Sequence, residues 1–288
     1  MRLGKKWGYI DRTGSYIVHP RFDQVDPWFS DGLARVKLGK RYGYIDTNGR
    51  LVITPQFYDS YEFADGRAPV RVGRKWGYIN REGKLIIRPQ FEHTFAFADG
   101  LAVVTSKGNK EGYIDRFGKS VIDPQFDEAF PFSEGLALVK VGKKCGYIDK
   151  TGRFAIAPQF DWGWYFLDGV APVTIVGEYG YIDKTGKIVI GPKFNFVDGF
   201  TEGLAAVVVG RKWGYIDKTG RYTVDPQFNL AVPYSGGLAA VEAGEKWGYV
   251  DRSGKIVIEP QFDYAGSFNE GLAPVMQCGE LLPTKPTP

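Results

Sequence analysis

Few residues in this chain could carry out chemistry. Among 288 residues there are only two His and two Cys. His19 precedes a proline and His93 lies in a connecting stretch. No shared spacing brings them together, so both read as surface histidines. Cys145 and Cys278 have no metal-ligand spacing to either histidine, and no G-x-S-x-G is present. Acidic residues are plentiful, but Asp31, Asp65, Asp99, Glu134, Asp168, Glu202 and Glu270 each stand just before a glycine. That recurrence reads as turn or cap chemistry, and a paired-carboxylate hydrolase has no positive motif. The residues therefore predict no catalytic set, no metal and no cofactor, and a chain that is not an enzyme.

Two further patterns look chemical and have plainer readings. Asp149-Lys150-Thr151-Gly152 recurs at 183–186 and 217–220. The tetrapeptide begins the phosphorylated-aspartate motif of ion-pumping ATPases, but here it repeats with changes and without a nucleotide domain, as a hairpin turn would. Lys or Arg flanks most of these turns: Arg116 and Lys119, Lys150 and Arg153, Lys184 and Lys187, Lys218 and Arg221, Arg252 and Lys255. Such tips could face phosphates. Yet 37 basic against 33 acidic residues leave a net charge of only +4, so they read as solvated tips and no nucleic-acid partner is expected.

Aromatic residues are the exception. They make up 15% of the chain, and Trp162-Gly163-Trp164-Tyr165-Phe166 packs four rings into five residues. Rings of this kind anchor protein interfaces or stack on sugar faces. Trp162, Trp164 and Tyr165, with Trp28, Tyr58, Tyr61 and Phe130 on the same class of loop, form the candidate partner patch. The competing reading is packing between neighbouring loops.

These residues are positioned by a repeat. GYID or a near copy occurs eight times, with glycines at 8, 43, 77, 112, 146, 180, 214 and 248. Units start near residues 7, 42, 76, 111, 145, 179, 213 and 247, and residues 1–280 read as one array with a Pro-rich tail at 281–288. WGYID and KIVI suit strands, joined by an Asp-x-x-Gly hairpin with glycine at positive φ. A proline in every unit, Pro20 through Pro260, is expected to close the second strand. GLAxV is the third strand. Phe22 through Phe262, one per unit, and an aromatic six places on, such as Phe63 or Phe132, read as plugs between units. The predicted class is all-β, with each unit a three-stranded antiparallel meander. The preferred architecture is a closed propeller-like ring, because the last GLAxV strand could complete the first sheet; an open twisted β-solenoid is the alternative.

The repeated WGYID…G(K/R)…P-x-F…EGLA-x-V resembles the WG, or KWG, repeat family. The signature Trp stands at Trp7, Trp76, Trp213 and Trp247 and is replaced at Tyr42, Tyr179, Glu111 and Cys145. The resemblance implies a mostly bacterial β-repeat that binds rather than catalyses, and it supplies no catalytic residues. A protein partner is expected first, a carbohydrate or cell-wall glycan second, and a passive spacer role third. No apolar run is long enough to span a membrane and no secretory signal is evident, so the expected location is the cytoplasm. Cys145 is expected to be buried, with no Cys145–Cys278 disulfide.

Overall fold

The computed structural model describes residues 2–3, 6–10, 16–26, 29–262, 264–267 and 275–276. Trp28, Glu270, Cys278 and the tail lie outside them. Every regular element among the described residues is a β-strand, and no helix is long and apolar enough to cross a membrane. The chain divides into two compact units, Met1–Phe154 and Ala155–Pro288.

In the first unit, the sheet at Asp59–Ser60, Arg67–Val72, Lys75–Asn80 and Leu85–Phe91 shows the plan. The four strands lie side by side in chain order and are antiparallel. The meander therefore has a fourth strand beyond the three expected. At two residues it is too short to leave a pattern of its own. In the second unit the same order recurs at Trp162–Gly163, Val170–Ile175, Glu178–Asp183 and Ile188–Phe194. Val275–Met276 pairs with Tyr264–Ala265, as the third strand pairs with the short one in earlier repeats.

The Asp-x-x-Gly turns form as expected. Gly83 has φ +78° and its N–H bonds to Asn80 O at 2.9 Å. A Cβ at Gly83 would meet the Ile53 side chain of the preceding sheet at 3.2 Å, so glycine serves both the turn and the packing. In the DKTG turns the Asp217 carboxylate accepts from Thr219 Oγ1 at 2.6 Å and from the N–H of Thr219 and Arg221. The Thr219 hydroxyl leads in holding that carboxyl below its ordinary range.

The prolines do not close their strands. Pro89 sits inside Leu85–Phe91, the outermost strand of its sheet, where the register shifts between Trp76↔Phe91 and Tyr78↔Ile87. This is a bulge, which tolerates a residue with no N–H. Gly77 lies opposite, where a Cβ would stand 2.5 Å from Ile87 O. Apolar packing on both faces is confined to the inner strands. Trp76, Tyr78 and Ile79 are buried, whereas Leu85 and Ile86 on the outer strand are exposed and only Ile87 is covered.

The core lies between successive sheets, as a repeat too small to bury itself requires. One cluster joins Tyr78 and Ile87 of one sheet to Phe97, Ala102, Val104 and Ile114 of the next. The aromatics expected as plugs are there: Phe22, Phe57, Phe126, Phe160, Phe194 and Phe228 are buried, and Tyr44 meets Phe63 edge-on at 4.8 Å.

Candidate functional site

The tyrosine of each GYID fixes the loop that follows. Tyr44, Tyr78, Tyr113, Tyr181, Tyr215 and Tyr249 are fully or almost fully buried, and each hydroxyl donates to the carbonyl seventeen residues on. Burial pushes the phenols of Tyr44, Tyr78, Tyr113, Tyr181 and Tyr215 well above their ordinary range. The pinned residues include Tyr61, Phe95, Phe130, Asp198 and Val232, and their side chains are free to vary because only their backbone is used. The N–H of each also bonds to the strand beside it, as Asp198 N–H does to Ala206 O at 2.9 Å.

In the second unit these loop positions make a cavity of about 310 Å³. Its aromatic walls are Trp162, Trp164, Tyr165, Tyr179 and Phe196, with Leu167, Pro172 and Pro233 completing the apolar lining. Trp164 and Tyr165 are 47% and 42% exposed with centroids 5.9 Å apart, so their rings stand at the surface. Tyr179 packs against Phe196 at 5.8 Å, and Phe196 against Trp213 at 5.6 Å. Phe166, in the recurring column, is buried and takes no part.

Two polar residues also line the cavity. Asp198 is the one ionisable carboxylate among the lining residues. It is half-buried, and its carboxyl is raised above the ordinary range by desolvation alone. Thr201 Oγ1 is buried and has no hydrogen-bond partner among the described residues, whereas Ser30, at its place in an earlier repeat, donates to Phe63 O at 2.6 Å.

The structure thus brings together Trp162, Trp164 and Tyr165 from the candidate patch. Tyr58, Tyr61 and Phe130 belong to the first unit and have surroundings of their own. Tyr58 lies under the Arg41 guanidinium at 3.6 Å. Tyr61 stacks on Trp76 at 5.1 Å and bonds His93 Nε2 at 3.0 Å. Phe130 is half-buried, its carbonyl held by Tyr113. Trp28 lies outside the described residues. Sequence reasoning missed Tyr179, Phe196, Asp198 and Thr201. The available signal was Asp198 itself, a carboxylate where Tyr61, Phe95, Phe130 and Trp164 are aromatic.

The remaining chemical candidates go elsewhere. His19 is exposed, but His93 is not a surface histidine: it is half-buried among Tyr61, Trp76 and Phe95. Cys145 is buried, as expected. Glu111 replaces an indole and accepts from the Ala129 N–H at 2.6 Å. The acids before each GLAxV glycine, Asp31 through Glu202, adopt φ of 51–55°. Several of their carbonyls accept from basic hairpin tips: Arg81 to Asp31 O at 2.6 Å, Lys150 to Asp99 O at 2.6 Å and Lys218 to Asp168 O at 2.9 Å. Those tips are fastened to neighbouring turns rather than presented as a rim. Among the described residues no group of three or more His, Cys, Asp or Glu is arranged to hold a metal ion.

The repeat itself matches the family model for the WG containing repeat eight times, at residues 7–42, 42–76, 76–110, 112–145, 146–177, 179–213, 213–247 and 247–279. The chain belongs to the WG repeat family. No curated protein matches it. Among solved structures the WG array is similar to a eukaryotic initiation factor, with TM-score 0.62 and 14% identity over 92% of this chain and 85% of that one. It is also similar to BamB from Moraxella catarrhalis, with TM-score 0.51 and 12% identity over 85% and 89%. A third is the dihydro-heme d1 dehydrogenase NirN, with TM-score 0.53 and 14% identity over 92% and 69%. At these identities the likeness concerns the fold alone: an all-β, propeller-like repeat. The three names differ too widely for the fold to choose a function.

Proposed function

We propose that this WG array is a binding module that seats a protein partner against the aromatic cavity of its second unit. The cavity carries the reading. Its volume, about 310 Å³, lies at the lower end of the range for ligand sites. Four of its five aromatic walls, Trp162, Trp164, Tyr165 and Phe196, are rings that the repeat does not demand, while the repeated tyrosines of GYID, the glycines and the turn acids are engaged in the fold. Exposed aromatic side chains beside a concave apolar surface favour association over solvation. A sugar face stacked on Trp164 and Tyr165 is the second reading, favoured by their exposure and adjacency.

The test is capture from a lysate of the source cells by wild type and by a Trp164→Ala, Tyr165→Ala variant. Both rings are exposed, so the variant is expected to keep its circular dichroism and melting temperature. The expected result is a protein held by wild type and lost by the variant. Equal capture by both would remove the cavity from the account, and a glycan in place of a protein would promote the second reading.

A further inference from the structure

Asp198 has a counterpart that shows what its carboxylate lacks. Asp26 holds the same place in an earlier repeat, its N–H bonding to Arg35 O as that of Asp198 bonds to Ala206 O. The Arg35 side chain turns back on Asp26, with Nη2 at 3.0 Å and Nε at 3.2 Å from Oδ1. In the later repeat Ala206 stands where Arg35 stands, and no cation or donor among the described residues reaches the Asp198 carboxylate. A half-buried carboxylate left in this way is a site for a positive charge.

The surroundings select the kind of cation. Ring faces attract a positive charge through their quadrupole, and a weakly hydrated organic cation most of all. Trp162, Trp164, Tyr165, Tyr179 and Phe196 supply the rings, and the unpartnered Thr201 Oγ1 supplies an acceptor for an N–H. An anionic ligand would meet Asp198 as a like charge, and a neutral sugar would leave that charge unanswered.

We propose that the cavity takes an alkylammonium group, supplied by a lysine-type side chain of the protein partner, with Asp198 as counter-ion and the five aromatic residues as its cage. This rests on the reading of the cavity as the binding site.

The test uses the full chain and four probes, followed through the indole N–H resonances in a nuclear magnetic resonance titration. They are Nα-acetyl-lysine N-methylamide, its Nε-trimethyl form, the uncharged analogue with tert-butyl in place of trimethylammonium, and tetramethylammonium alone. The charged amides are expected to bind about tenfold more tightly than the uncharged analogue, the usual scale of one desolvated cation–π and ion-pair contact. Asp198→Asn, nearly isosteric, should abolish that preference, and Trp164→Ala should weaken all the amides. If the uncharged analogue binds as well as the trimethyl form, the cation claim falls while the cavity remains a binding site. If tetramethylammonium alone binds as tightly as the amides, the cation stands and the lysine-type source falls. If no probe perturbs any lining residue, the proposal is overturned, and the lysate capture decides separately whether the cavity binds anything.

Discussion

Corresponding positions in the two units make opposite use of the same frame. In the first unit Tyr61, Trp76, His93 and Phe95 close on one another, with Tyr61 stacked on both Trp76 and Phe95. In the second unit Trp164, Tyr179, Phe196 and Asp198 occupy those places and leave a cavity of about 310 Å³. The backbone is held alike in both, since Tyr78 pins Phe95 O at 2.9 Å and Tyr181 pins Asp198 O at 2.6 Å. All four side chains differ, and the last changes the chemistry: a phenyl ring at Phe95 in the first unit is a carboxylate at Asp198 in the second. The frame is common to the repeats, and specificity lies in the loop positions whose backbone alone the frame consumes.

That comparison can be broken from either side. The largest effect is expected from Arg35→Ala, which makes Asp26 as solitary as Asp198. A carboxylate already raised above its ordinary range by burial would lose the guanidinium that pairs with it. The loss should be about 3 kcal/mol in urea unfolding, with much of it restored by adding Asp26→Asn. Next comes Phe95→Asp, which writes the second unit's residue into the first. Removing a stacked ring and inserting a charge beside Tyr61 should cost about 2 kcal/mol. Tyr181→Phe deletes one buried hydrogen bond, costs about 1 kcal/mol, and loosens the carbonyl of Asp198. It should therefore weaken binding of the trimethyl-lysine probe as well, whereas Tyr44→Phe should lower stability and leave that binding unchanged.

The smallest effect is a difference in sign. The turn acids Asp183, Asp217 and Asp251 have folded pKa values below their unfolded ones, led by the Thr or Ser hydroxyl each accepts from. Their contribution is present above the ordinary carboxylate range and fades as pH falls through the lowered range. Asp198 is raised by burial, so its charged form opposes folding at neutral pH, and acidification through its raised range relieves it. The gap in melting temperature between Asp198→Asn and wild type should be widest near neutrality and narrow as pH falls.

Much of the frame was legible because it is written eight times over. The hairpin glycines, the Phe column and the buried inner strands follow from recurrence. The fourth strand did not, because two residues carry no periodicity. Nor did the bulge at Pro89, since a bulge depends on the partner strand that lies opposite. The cavity was half legible. Trp162, Trp164 and Tyr165 stand out because the repeat does not require them. Asp198 is small and polar in a loop, and its meaning appears only beside Ala206 and the rings of Tyr179 and Phe196.

The most direct test of the central claim, that Asp198 is kept for a ligand rather than for the fold, is calorimetric melting of Asp26→Asn and Asp198→Asn at neutral pH. Asp26→Asn leaves Arg35 partly buried without its carboxylate and should melt several degrees below wild type. Asp198→Asn should melt at or above wild type. A drop in Asp198→Asn as large as that in Asp26→Asn would mean that the carboxylate holds the structure together, and would contradict the account.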